Sequence, residues 1–265
     1  MRFPSFKLKA FTLSYDDGVV ADQRLVKLFE QYGVKGTFNL SSTWLRNPIE
    51  VYQTQEVAIH GYKHLSLSGL DAGIIVNEII TDRKELESNF RRVIKGLAYA
   101  NGAYDEHAKS CLKACGISYA RTIDNTGDFS LPKDWLEWHP TCHHADSKLM
   151  EYADKFLAEK ERIATHGHFP LLFYVWGHSY EFDDQNNWDV MEAFLRKISG
   201  QEDVWYATNG EIYQYTEDFK RLQFSADATL VYNPSAQDIY FLANGIENVA
   251  KAGTVSLVQT VRTQA

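Results

Sequence analysis

The sequence predicts an α/β fold in which seven or eight parallel strands close a barrel, followed by a small C-terminal β appendage. Three observations carry this. Apolar, β-rich runs alternate with amphipathic stretches along most of the chain. The length of 265 residues, 45% hydrophobic and 23% charged, suits one large core. After Leu222 the pattern becomes strand-like alternation around an Asn-Gly pair, a hairpin signal.

The elements follow in order. "KLKAFTLS" is the first strand, and Ala21 to Gln31 the first helix, with Leu25, Val26, Leu28 and Phe29 at helical spacing. "GTFNLS" and "EVAIHG" are strands two and three. Gly73 to Lys95 is a long helix with Ile75, Ile79, Leu86, Phe90 and Val93 on one face. "GLAYANG" and "ISYART" are strands flanking a helix over Tyr104 to Cys115. "DNTGDFSLPKDWLEWHPTCHHAD" has no period and reads as a long functional or lid-like loop. A helix over Lys148 to Lys160, the strand "PLLFYVWGHS", a helix over Trp188 to Ile198 and the strand "DVWYATNG" complete the alternation. Parallel strands joined in this way take right-handed crossovers. Residues 1–222 are therefore assigned to the barrel. Residues 223–265 are assigned to an appendage packed on it, since ~40 residues seldom support their own core.

A net charge of −8 argues against a nucleic-acid or anionic-membrane partner. No stretch approaches the ~18 apolar residues of a membrane span, and "MRFPSFKLKAF" lacks a signal peptide's apolar region, so a cytoplasmic location is expected. Cys111, Cys115 and Cys142, an odd number without a CxxC, fit a reducing compartment. No feature specifies an oligomeric state.

Three stretches carry chemistry. "LSYDDGVVADQ" places Asp16 and Asp17 together where a strand ends. Adjacent ionised carboxylates repel, so a cation or a shared proton keeps such a pair in a cleft; a helix-capping turn is the alternative. "EVAIHGYKHLSL" places His60 and His64 four residues apart. On a helical turn both imidazoles project from one face and can hold one cation, with a strand-end Asp as third ligand; surface or capping histidines are the alternative. "LLFYVWGHSYEF" is an apolar run ending in Gly177 and His178, either a surface His after a core strand or a residue facing the same barrel mouth, where strand C-termini converge.

With these motifs in this order, the chain resembles the polysaccharide deacetylase superfamily, the NodB-like domain also called carbohydrate esterase family 4. "LSYDDG" looks like the family's Thr-Phe-Asp-Asp-Gly motif, "HGYKH" is similar to its His-x-x-x-His motif, and "LLFYVWGH" to its terminal apolar run ending in His. The resemblance spans roughly residues 8–215. It implies a distorted (β/α) barrel, one divalent cation, most often Zn2+, and removal of acetyl groups, as amide or ester, from a carbohydrate. Carried over residue by residue, it makes Asp16 the catalytic base, Asp17, His60 and His64 the metal ligands, and His178 the general acid.

Two departures stand out. "LAYANGAYDE" has Ala100 where the family often has proline, and no arginine. Arg121 in "YARTID" is a candidate for the arginine that braces the catalytic Asp, or an ordinary strand-end arginine. "DWLEWHPTCHH" occupies roughly the place of the family's Asp-Trp region. Its Trp135, Trp138, His139, Cys142, His143 and His144 match no closed zinc spacing and read as substrate-binding rather than as a second metal site. Asn101, Trp138, Trp176 and Glu181 are the expected substrate contacts, aromatic faces suiting sugar rings. The expected substrate is an acetylated sugar or oligosaccharide. A small non-sugar amide is the alternative on the same site, because a fold does not fix substrate. An inert carbohydrate-binding protein is a third reading, disfavoured by the presence of all five carried-over residues.

Overall fold

Eight consecutive buried residues, Lys9–Asp16, form β1, the strand around which the sheet is built. The computed structural model describes residues 1–160 and 170–260. The succeeding elements are α1 (Asp22–Tyr32), β2 (Gly36–Leu40), β3 (Glu56–Ile59), α2 (Ala72–Phe90), β4 (Gly96–Ala98), α3 (Glu106–Ala114) and β5 (Tyr119–Arg121). After these come β6 (Cys142–His143), α4 (Leu149–Ala158), β7 (Leu171–Gly177), α5 (Tyr180–Asp184), α6 (Trp188–Ile198), β8 (Val204–Tyr206) and α7 (Asn209–Lys220). One edge of β1 pairs with β7 from Lys9↔Leu171 to Tyr15↔Gly177. The other pairs first with β8, Lys9↔Val204 to Phe11↔Tyr206, and then with β2, Leu13↔Gly36 to Asp16↔Asn39. Every pairing in this sheet is parallel, in the order β5-β4-β3-β2-β1-β7-β6 with β8 beside β1.

The sheet is closed by a segment expected to be a lid-like loop. The Trp138 N–H donates to the Ala120 carbonyl and the Thr122 N–H to the Trp138 carbonyl, both at 3.0 Å. A few residues on, Cys142 and His143 pair with Val175 and Trp176. The chain thus crosses from the β5 edge to the β7 edge and seals a distorted barrel. Its strand content is one bridge and two residues, too short for a period-two signal.

Alternation along β1 sends Phe11, Leu13 and Tyr15 into the main apolar core and Thr12, Ser14 and Asp16 to the other face. That face is polar and bonded: Thr12 Oγ1 donates to Asn209 Oδ1 (2.9 Å), Asn39 Nδ2 to Ser14 Oγ (2.7 Å) and Asn209 Nδ2 to the Tyr174 hydroxyl (2.6 Å). Asn209 opens α7, a helix hidden in the sequence because "TNG" looks like a turn. Thr208 and Glu211 form a capping box there.

Beyond Leu222 lie β9 (Gln223–Phe224), β10 (Leu230–Tyr232), β11 (Ile239–Ala243), β12 (Ile246–Ala250) and β13 (Val255–Leu257). β13-β10-β9 form one antiparallel sheet, and β11 and β12 the expected hairpin, with Asn244 and Gly245 both at positive φ (49° and 79°). Ile239, Phe241 and Ala250 share a buried cluster with Phe3, Ile212 and Tyr215. Residues 261–265 of the assigned appendage lie outside the described residues. All three cysteines are free and buried. Among the described residues, no helix is long and apolar enough to cross a membrane.

Candidate functional site

β1 runs to Asp16, and α1 begins only at Asp22, preceded by Ala21. The carboxylate pair therefore does not cap α1. Asp17 turns the chain in the left-handed region (φ 80°), which non-glycine residues seldom occupy and Asp tolerates better than most. Asp16 and Asp17 leave the strand end in different hydrogen-bonding surroundings.

Asp16 is held from two sides. Asn39, its register partner on β2, donates through Nδ2 to Oδ1 at 2.7 Å, and Arg121 Nη2 donates to Oδ2. Arg121 is the brace, not an exposed strand-end arginine: it is 0% exposed, with its guanidinium 4.3 Å from the centre of the Trp176 ring. Burial pushes the Asp16 carboxyl up, but Arg121, His60, His178 and the Asn39 bond outweigh it and hold the group below its ordinary value.

Asp17 Oδ1 is buried and has no hydrogen-bond donor among the described residues. It lies 3.6 Å from His60 Nε2 and 3.8 Å from His64 Nε2, and the two imidazole nitrogens are 3.1 Å apart. Three donor atoms around a tetrahedral Zn2+ at ~2.1 Å stand about 3.4 Å from one another. The residues fit the cation: an orphaned anionic oxygen and two inward nitrogens are at ligand spacing. His60 Nδ1 lies 2.9 Å from the Ala98 carbonyl; donation there leaves Nε2 unprotonated, as ligation requires.

The expected helical turn over His60–His64 is not present. The chain instead bends at Gly61 (φ 93°) and His64 (φ 56°). α2 supplies the support that a helix would have given. Glu78 Oε1 accepts from the Lys63 and Leu65 N–H groups, and Asp82 from the N–H groups of Ser42 and Gly61. A Cβ at residue 61 would stand 2.9 Å from Glu78 Oε1, so only glycine makes this bend. No local signal in the sequence marked Glu78 or Asp82.

His178 follows β7 at the same mouth. Its Nδ1 is 2.8 Å from Glu181 Oε1, one turn along the chain, and its Nε2 lies 3.8 Å from Asp16 Oδ2. Burial lowers the pKa of His178, but the Glu181 bond and the charges of Asp16 and Asp17 raise it above the ordinary histidine value. The Glu181 carboxyl, penalised by burial, is nonetheless held far below its ordinary value by His143, His144 and His178.

The four expected substrate contacts divide. Asn101 is exposed after β4 at this end of the barrel, donating to Ser66 Oγ at 3.1 Å. Trp138 is corrected: at 1% exposure it packs against Tyr119, Trp135 and Tyr174, since closing the barrel places its ring in the interior cluster. Trp176 is mostly buried and carries Arg121 on one face. Glu181 is engaged by three imidazoles. The exposed aromatic surface at the rim belongs to residues not singled out in the sequence: Trp44, 41% exposed and stacked 4.7 Å from the His64 ring, and Tyr180, 38% exposed and 5.3 Å from the His178 ring.

Fold and site together define a (β/α)-barrel protein with a His2Asp cluster, a braced carboxylate and a carboxylate-held imidazole at the C-terminal ends of its strands. Residues 5–120 match the family profile described as polysaccharide deacetylase, a span that holds Asp16, Asp17, His60 and His64. Over that span the chain is similar to the polysaccharide deacetylase family. Its fold is similar to that of a Mycobacterium smegmatis protein provisionally named a polysaccharide deacetylase (16% identity, TM-score 0.59, covering 83% of this chain and 94% of that one). It is also similar to a family 4 acetyl xylan esterase from Clostridium thermocellum in complex with a cobalt ion (12%, 0.52, 78% and 92%). A third similar fold is a family 4 pseudoenzyme from Bacillus anthracis (14%, 0.50, 79% and 66%). No curated protein sequence matches the chain at significant similarity.

Proposed function

We propose that this chain is a metal-dependent hydrolase that removes acetyl groups, as amide or ester, from a carbohydrate. The observation that carries the reading is the buried, donorless Asp17 Oδ1 set against two imidazole nitrogens, beside a carboxylate and an imidazole each oriented by its own partner. A divalent cation held by Asp17, His60 and His64, Zn2+ by the donor set, would supply polarisation of the acyl carbonyl and acidification of a water.

The remaining chemistry belongs to the chain. Asp16, kept ionised by Arg121 and Asn39, accepts the proton of the attacking water at Oδ2, the oxygen that faces His60 and His178. His178, protonated and aimed by Glu181 through Nδ1, donates the Nε2 proton to the departing sugar nitrogen or oxygen. Trp44 and Tyr180 supply exposed ring faces beside the metal ligands and the acid, where sugar rings can stack.

Acetate release by the zinc-loaded protein, measured across acetylated oligosaccharides, acetylated monosaccharides and small cyclic amides, tests the assignment. Turnover of the oligosaccharides above the other two classes is the expected result. Turnover of the amides alone would move the substrate to the small non-sugar class. No turnover of any class, with metal bound, would make the chain a non-hydrolytic relative.

A further inference from the structure

A second cluster of metal-donor side chains lies on the far side of His178. His143 Nε2 is 3.5 Å from Glu181 Oε1 and His144 Nε2 is 3.1 Å from Glu181 Oε2, and one donor atom from each of the three residues falls within 4.8 Å of the others. Each imidazole meets a different oxygen of Glu181, so this set is looser than the Asp17, His60 and His64 cluster, in which both imidazoles face the single Asp17 Oδ1. The cluster is built by the closing segment of the barrel: β6 pairing with β7 puts His143 opposite Trp176 and carries His144 beside Gly177. A Cβ at residue 177 would meet His144 Nδ1 at 1.9 Å, so the glycine before His178 makes room for this ring. His144 Nδ1 is itself buried without a partner among the described residues, and a proton placed there leaves Nε2 free to ligate. Glu181 and His143 keep about a fifth of their side-chain surface, which leaves the cluster open to solvent.

We propose that His143, His144 and Glu181 form a second, weaker site for a borderline-soft divalent cation such as Zn2+, and that filling it suppresses turnover by taking Glu181 from His178. The weakness follows from the donors' present bonds. His143 Nδ1 accepts from the Ala145 N–H at 3.1 Å, so ligation through Nε2 moves a proton to Nδ1 and gives that bond up. Glu181 must in turn share its charge between His178 and the cation. In the first cluster Asp17 Oδ1 has no donor to lose and the Ala98 carbonyl presets the His60 tautomer. One lost hydrogen bond corresponds to about tenfold in affinity, so the second site fills at metal concentrations at least about tenfold higher than the first. The cation's borderline character follows from the two imidazoles and one carboxylate, a set that favours zinc, cobalt, nickel or copper over magnesium or calcium.

The suppression rests on the function proposed above; the binding does not, and the two are measured separately. The full chain, stripped of metal and titrated with Co2+, should take up two equivalents, the second at the higher concentration, with visible absorption for each. Asp17→Ala, which removes the first site, should keep one equivalent, and His143→Gln in that background should abolish it with the circular dichroism spectrum unchanged. Excess Zn2+ should lower wild-type kcat on an N-acetylated oligosaccharide, whose leaving amine needs the His178 proton, at least fivefold below its value at one equivalent, and His143→Gln should remove most of that sensitivity. Uptake of a single equivalent by wild type, or of two by His143→Gln, overturns the site. Two equivalents without loss of rate overturns the coupling through Glu181. Absence of turnover at every zinc level, with two equivalents bound, leaves the site standing and sinks the hydrolase reading instead.

Discussion

Replacing Arg121 by methionine removes the guanidinium that faces Asp16, and the structure sets the size of the consequence. Both side chains are almost wholly excluded from solvent, 0% and 3% exposed. Breaking a buried pair by deleting one partner typically costs 3–5 kcal/mol, because the other charge stays buried, and for a chain of this size that lowers Tm by roughly 6–20 °C. The chain has a second way to respond. With Arg121 gone, burial, already the largest influence on Asp16, is opposed only by His60, His178 and the Asn39 bond, so the carboxyl shifts up and less of it stays ionised to accept a proton. General-base assistance is worth about 10²–10⁴ in rate, and kcat for acetate release should fall within that range while metal content holds. Arg121→Lys keeps a charge but loses the planar fork over Trp176 and should fall between the two. The assay is initial rate at saturating substrate, with elemental analysis and Tm on the same preparations. If Arg121→Met keeps kcat within about threefold of wild type while its Tm drops, Arg121 supports the fold and the braced-base argument fails.

Three further outcomes are expected. Asp17→Ala, His60→Ala and His64→Ala should each purify with little bound metal and lose turnover; wild-type metal content in all three would remove the ligand assignment. Asp22, buried beneath the site, accepts from the Ser179 and Tyr52 hydroxyls at 2.5 and 2.7 Å, and burial pushes its carboxyl up to about 7. A raised folded-state value means the unfolded chain releases this proton first, so stability is full below the ordinary carboxylate range and falls by roughly 1.4 kcal/mol per unit as pH rises towards 7. Urea midpoints from pH 4 to 8 should therefore slope less in Asp22→Asn than in wild type, and parallel slopes would contradict this. Trp44→Ala should raise KM for an acetylated oligosaccharide about tenfold at most, the value of one stacking contact, and barely change it for nitrophenyl acetate; equal effects on both would make Trp44 a prop for His64 rather than a sugar platform.

All barrel strands but β6 were legible because each is a short apolar run bounded by turn residues, and the candidates Asp16, Asp17, His60, His64 and His178 stand out because they fall at or just after the ends of such runs. Other features had no local trace. Asn39 and Arg121 meet Asp16 only after β2 and β5 are placed, and a sequence offers Arg121 no mark that separates burial from exposure. Four-residue spacing between His60 and His64 suggested a helical turn, but the bend is imposed by Glu78 and Asp82 from α2 through backbone amides. Trp138 was read as a sugar contact from its type alone; which face of a closing segment a ring takes is decided by pairing with β5. α7 was hidden because Asn209-Gly210, a turn signal, here starts a capped helix.

β1 carries a consequence for how this chain is made. It leaves the ribosome before every other strand of its sheet, yet one of its edges stays open until residues 171–177 are synthesised and part of the other until residues 204–206 follow. These two partners, β7 and β8, lie more than 150 residues downstream, so closing long loops is a large part of the cost of completing the sheet, and local helices form well before it. Until then a strand of buried type presents free backbone amides and carbonyls, the feature on which nascent chains pair wrongly with one another. Heterologous production should accordingly gain more soluble protein from slower synthesis or a holdase chaperone than from added salt or ligand after lysis.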